Sequence, residues 1–335
     1  MIPLDARVPS TATGPSVVAL GGGHGLAVSL RALRRVTDRL TAVVGVADDG
    51  GSSGRLRREL GVLPPGDLRM ALAALCGDDG WGRTWSRVVQ HRFEGEGEIG
   101  GHSLGNLLIA AVWEETGDIV EGLRWVGALL GAHGRVLPVS VVPLDIVASV
   151  AGLEPSNPTE IDTVFGQVAI ATTPGRVVDL RLEPPNPPAC PQALEAIASA
   201  DAIVVGPGSW FTSVLPHFLV PGVTEAVVSS HAERILVLNR TPQPGETSGF
   251  KPEMHLDVIH RLLPEVRFDT VLADAESVAE IEPLVRAAAS LGATVVVRPI
   301  GRDDDSSRHD SDLLAAAFGS LLRRPTRHDR ISPWQ

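Results

Sequence analysis

The chain has 335 residues, 44% of them hydrophobic, which suits one large domain or two modest ones and excludes a disordered chain. Its formal net charge of −11 argues against a nucleic acid held by phosphate neutralisation and against a polybasic membrane contact. Its two cysteines, Cys76 and Cys190, lie far apart without Cys-x-x-Cys spacing, so no disulfide framework or zinc site is expected and a reducing cytoplasm fits.

Residues 1–15 lack the basic start and apolar core of a signal peptide and read as a loose tail. A strand-like run at 17–20 then meets Gly21, Gly22 and Gly23. A helix-period segment follows, with Leu26, Leu30 and Leu33 on one face. A second strand-like run at 41–47 ends in Asp48, Asp49, Gly50, Gly51, Ser52 and Ser53. Glycines in such a β–turn–α–β unit let the backbone approach a diphosphate, and the N–H groups at the helix start favour an anion. The G-x-G-x-x-G spacing is not met cleanly. A P-loop is excluded, because the single lysine of the chain is Lys251. A tight turn without a ligand is the plain alternative. The acidic, hydroxyl-bearing second loop suits a metal ion, a sugar or a phosphate.

The middle of the chain differs in pattern. Residues 62–75 and 105–131 read as apolar helices, and 136–183 as short strands joined by turns. The block at about 60–190 reads as an insertion or cap in a single domain spanning 16–335. The proline-rich stretch 184–191 reads as a stiff connector. Within this block, GVLPPGDLR (61–69) offers Asp67 as a helix cap, and the polar residues of GGHSLGNL (100–107) also read as caps. The apolar stretch 136–153 is broken by Pro138, Pro143 and Asp145, too interrupted for a membrane span.

The second half alternates strand-like runs (202–206, 235–239, 268–273, 293–297) with helix-like segments (191–200, 212–219, 283–291). That alternation predicts an α/β fold: a mostly parallel sheet with helices on both faces. Gly206, Pro207, Gly208 and Ser209 form a second glycine turn after a strand, and the polar loop 239–250, with Glu246, follows another. Ligands of open parallel sheets gather at the carboxyl ends of strands, so these loops point to one shared crevice. An acidic run from Asp303 precedes a helix at 311–322, for which Ser311 is a candidate N-cap. No Gly-x-Ser-x-Gly or His-Glu-x-x-His motif occurs, His91, His102, His217 and His260 show no metal spacing, and no hydride-transfer set supports a dehydrogenase.

The segments GGGHGL, ADDGGSSGRLR, GVLPPGDLR, GHSLGNLL, ADAIVVGPGSWFTSVLP and QPGET occur in the order seen in the CofD superfamily. They resemble most closely its gluconeogenesis-factor (YvcK-like) branch over about residues 16–275, and Arg308-His309-Asp310 resembles it too. The resemblance implies a Rossmann-like fold that binds UDP-N-acetylglucosamine and controls carbon flux, cell-wall synthesis and cell shape, without established turnover. On that reading Gly21, Gly22, Gly23 and Gly25 cradle the diphosphate, while Gly206, Gly208 and Ser209 form the facing wall. Asn239 contacts the base or ribose, and Arg308 reaches the diphosphate or sugar from the C-terminal helix. Asp48, Asp49, Ser52 and Ser53 hold the sugar or a metal. The resemblance also suggests a serine/threonine kinase acting near Ser311, and the assembly expected is a homo-oligomer. The alternative is a CofD-like transferase moving a phospholactyl-type group from a guanosine diphosphate donor to a deazaflavin, with Asp48 and Asp49 as catalytic candidates holding Mg2+. The chain departs from the usual pattern at His24 (for Thr), at Trp210-Phe211 (for Leu-Tyr) and at Arg240 and Pro242.

Overall fold

The computed structural model describes residues 14–323 apart from positions 155, 244, 305 and 306, so the expected tail at 1–15 lies almost wholly outside the described residues. The strands are β1 (Val17–Gly21), β2 (Leu40–Val44), β3 (Arg135–Pro138), β4 (Asp145–Ala151), β5 (Ile161–Phe165), β6 (Arg176–Glu183), β7 (Ala202–Val205), β8 (Glu233–Val237), β9 (Thr270–Asp274) and β10 (Thr294–Arg298). Seven of them form one sheet in the order β10-β9-β8-β7-β1-β2-β3, and every pairing in it is parallel. Residues 17–21, 40–44 and 202–205 are buried without alternation, as expected where helices cover both faces of a sheet. Strands β4, β5 and β6 form a separate antiparallel sheet in the order β5-β4-β6.

Connectivity fixes where a ligand can bind. From β1 the chain steps outward through β2 to β3, and from β7 it steps the other way through β8 and β9 to β10. The direction reverses between the adjacent strands β1 and β7. Their connections leave on opposite sides and open a crevice beyond their carboxyl ends, where both glycine turns lie.

Helices α1 (Gly23–Leu33), α2 (Gly51–Leu60), α3 (Gly66–Leu75), α4 (Gly80–Gln90), α5 (Leu104–Thr116) and α6 (Ile119–Leu130) belong to the first half. The rest are α7 (Gln167–Ala171), α8 (Pro191–Ala198), α9 (Leu215–Phe218, entered through a π turn at Trp210–Val214), α10 (Val223–Ser229), α11 (Pro252–Leu262), α12 (Ile281–Ser290) and α13 (Ser311–Leu321). Leu26, Leu30 and Leu33 of α1 are fully buried, as their spacing predicts. No single helix among the described residues is long and apolar enough to cross a membrane.

Several local expectations change. The polar loop after β2 continues directly into α2, because Gly50 opens the helix and Gly61 closes it in the left-handed conformation. The helical stretch at 105–131 is two helices, broken where Gly117 takes the left-handed conformation and the Asp118 carboxylate caps α6 by accepting from Glu121 N. Residues 135–138, grouped with the middle block, are the outermost strand of the main sheet; four residues ending in proline carry little strand signal. Asp67 does not cap α3: it lies in the first turn and its carboxyl reaches back to Gly23 N–H. Ser103 stands at the start of α5 but donates to Val89 O instead of capping. Ser311 is not the N-cap of α13, because the Asp310 carboxylate takes that place by accepting from Asp312 N and Leu313 N.

Candidate functional site

The two glycine turns pack directly on each other. A side chain at Gly25 would put its Cβ 2.1 Å from the Pro207 carbonyl oxygen, so only glycine fits at this contact. Ser29 Oγ, one turn further along α1, donates to Gly206 O at 3.0 Å. Asn239, just past β8, grips the second turn: its Oδ1 accepts from Gly208 N at 2.9 Å and its Nδ2 donates to Gly208 O at 2.8 Å. The Asn239 amide is thus engaged in shaping the turn.

Protein carboxyls already stand at both helix starts that the sequence offers to a phosphate. Asp67 accepts from Gly23 N–H at the start of α1. Glu246 accepts from Phe211 N at 3.2 Å and from Thr212 Oγ1 at 2.5 Å at the start of the π turn into α9. Each satisfies N–H groups that a helix start leaves orphaned. Loss of hydration and the neighbouring Asp48 push Asp67 up to about 7, with Gly23 N–H and Arg69 acting the other way. Burial likewise raises Glu246, partly offset by Thr212 and Phe211.

The open cavity lies beside these starts, with a volume of about 580 Å3. His24, Gly25, Gly208, Ser209, Asn239 and Arg308 of the expected site residues line it. Gly21, Gly22, Gly23 and Gly206 do not line it; they build the turns behind it. Arg308 precedes α13 and approaches from the loop between β10 and α13, not from the helix itself. Sequence reasoning missed Arg31, Arg302 and His309 in the lining. A signal for Arg31 was present: His24, Val28 and Arg31 fall at i, i+4 and i+7, one face of α1. His24 is held below its ordinary value by partial loss of hydration and then by Arg308, Arg31 and Arg69. Two buried polar atoms of lining residues, Gln243 Oε1 and His309 Nε2, have no hydrogen-bond partner among the described residues.

Asp48, Asp49, Ser52 and Ser53 sit elsewhere. Asp48 Oδ1 accepts from Gly50 N at 3.0 Å, and this carboxylate faces Asp67. Asp49 turns away, with Oδ1 accepting from Val168 N at 3.0 Å in α7. The two acids thus take different backbone N–H partners, and the described residues hold no group of three His, Cys, Asp or Glu side chains fit to bind a metal ion. Ser52 belongs to a buried polar chain: Arg69 Nε donates to Asn106 Oδ1 (2.9 Å), Asn106 Nδ2 donates to Ser52 Oγ (3.0 Å), and Ser52 Oγ meets His102 Nδ1 (3.0 Å). Asn106 Nδ2 also reaches Ser53 Oγ at 3.5 Å. This chain ties α2, α3 and α5 together behind the turn.

A parallel sheet with a strand-order reversal, two interlocked glycine turns and an arginine-lined cavity define an α/β protein of the Rossmann-like class. The family model for 2-phospho-L-lactate transferase CofD matches residues 17–297, and the chain belongs to the CofD family. It is 33% identical over 327 residues to a gluconeogenesis factor of Listeria innocua, covering 93% of this chain and 97% of that one. It is 51% identical over 310 residues to a Mycobacterium leprae relative that bears the same name provisionally, covering 92% and 86%. A solved UPF0052-family structure from Bacillus halodurans is similar at a TM-score of 0.80 and 34% identity, covering 91% of this chain and 99% of that one.

Proposed function

We propose that the chain is a cytoplasmic nucleotide-sugar-binding regulator whose ligand is UDP-N-acetylglucosamine and whose role is control of carbon flux, cell-wall synthesis and cell shape. The observation that carries this reading is the charge of the cavity. Arg31, Arg302 and Arg308 converge there in a chain with a formal net charge of −11. Arginines gathered in a concave site focus the field and favour an anion, and their planar forks suit phosphate oxygens. His24 is held neutral by its surroundings and adds a hydrogen-bonding edge without further charge. An adjoining chamber of about 270 Å3, lined by Phe250, Lys251 and His255, shares Asn239, Thr241 and Pro242 with the cavity. The two spaces together have room for a ring system on one side of a diphosphate and a sugar on the other. The uridine and N-acetylglucosamine identities come from the resemblance; the relatives named as gluconeogenesis factors support the role in carbon flux.

The reading extends to regulation. A phosphate placed on Ser311 by a serine/threonine kinase would add about −2 charge three residues from Arg308 and compete with the ligand for its guanidinium. A homo-oligomeric assembly is part of the same proposal. The transferase alternative rests on the family model.

The test is Arg308→Ala titrated with UDP-N-acetylglucosamine by calorimetry. Loss of one charged fork predicts affinity lower by about tenfold to a hundredfold, on the scale of one charge-assisted contact of about 1.5–3 kcal/mol. The salt dependence should also become shallower. Unchanged affinity would place the ligand outside this cavity.

A further inference from the structure

The loop that carries Arg302 and Arg308 hangs on one buried guanidinium. Arg240, whose side chain is 7% exposed, donates from Nε to Asp274 Oδ2 at 3.0 Å and from Nη2 to Glu276 Oε2 at 2.5 Å. Its Nη1 donates to the carbonyl oxygens of Arg302 and Arg308, each at 3.3 Å. Those two carbonyls stand on opposite sides of the loop neck. Arg302 N donates to Arg308 O at 3.2 Å, and Gly301 pairs with His309 in an antiparallel bridge. Asp274, at the end of β9, completes the junction: its Oδ1 accepts from Ile300 N and Gly301 N, both at 2.8 Å. One carboxylate therefore joins the guanidinium to the start of the loop. The neck has no space to spare, because a Cβ on Gly301 would lie 2.1 Å from Arg240 Cζ.

A planar fork with five donors can satisfy two carboxylates and two carbonyls at once, and an ammonium cannot match that geometry. We infer that Arg240 is a positioning residue: it fastens the neck at 300–302 and 308–309 so that Arg302 and Arg308 face the cavity, and through them it sets affinity for an anionic ligand. The affinity half of this inference rests on the nucleotide-sugar reading above; the fastening half does not.

Two measurements on the full chain test it. Hydrogen exchange in Arg240→Met should quicken at the Ile300 and Gly301 amides and across 300–310 while β1, β7 and α1 keep their protection. Calorimetry with UDP-N-acetylglucosamine should show affinity at least about tenfold weaker in Arg240→Met, yet less than about threefold further loss when the same change is made on Arg308→Ala. Such non-additivity is the mark of one residue acting through another. Arg240→Lys should recover only part of the loss. If Arg240→Met does not fold, Gly301→Ala, which drives a methyl into the guanidinium, should give the same exchange and affinity pattern. Unchanged exchange in the loop, or an equal loss of affinity with and without Arg308, would overturn the inference. Absence of binding by the wild-type chain would instead remove the ligand reading, and the exchange measurement would then decide the fastening alone.

Discussion

Asp67 gives the most quantitative prediction. Its carboxyl lies against the first glycine turn, beside Asp48, and is pushed up to about 7 from an ordinary 3.8. Below pH 3.8 the folded and unfolded chains both hold the proton, and Asp67 imposes no penalty. Between 3.8 and about 7 the unfolded chain releases the proton while the folded chain keeps it, so stability falls as pH rises. Above 7 the penalty is complete. At about 1.36 kcal/mol per pH unit the full rise corresponds to about 4 kcal/mol. The side chain is only partly buried, and screening by solvent reduces this to roughly 2 kcal/mol. Asp67→Asn removes the titration while its amide oxygen can still accept from Gly23 N–H. Urea unfolding of both proteins from pH 4 to 8.5 should show no difference at the acid end and an advantage of about 2 kcal/mol for the variant by pH 8. Other carboxylates titrate alike in both proteins and cancel. A flat difference, or a variant less stable at pH 8, would refute the reasoning.

Gly25→Ala should cost about 1–3 kcal/mol in urea unfolding and abolish ligand binding in calorimetry, because its Cβ meets the backbone of Pro207 and not a side chain that could move aside. Asp49→Ala should cost about 1 kcal/mol, the worth of a lost helix-start bond to Val168 N, and leave ligand affinity unchanged; a loss of binding would return Asp49 to the site. Asp48→Ala gives up one bond to Gly50 N but relieves Asp67, so its thermal midpoint should stay within a few degrees of wild type or rise, and Asp67 should titrate at lower pH, as followed by carboxyl NMR shifts.

The sheet was legible because its strands are uninterrupted apolar runs closed by glycine turns, as at 17–21 and 202–205. The crevice between the two turns followed from strand order alone. Less legible was what fills it. Asp67 and Glu246 lie 44 and 35 residues in chain distance from the N–H groups they satisfy, those of Gly23 and Phe211, and no local pattern reports such a contact. Ser52 and Ser53 looked like ligand contacts because their partners, His102 and Asn106, arrive from α5 and the loop before it. Arg302 was hidden beside an acidic run that reads as solvated surface, and its placement depends on Arg240, far away in the chain.

The central claim, that the arginine-lined cavity takes a uridine diphosphate sugar, is tested most directly by calorimetry of the wild-type chain with UDP-N-acetylglucosamine, GDP and NAD under identical conditions. Saturable binding of UDP-N-acetylglucosamine is expected, with affinity at least about tenfold above that for either other ligand. Tighter binding of GDP or NAD, or no heat with any of the three from a folded protein, would contradict it.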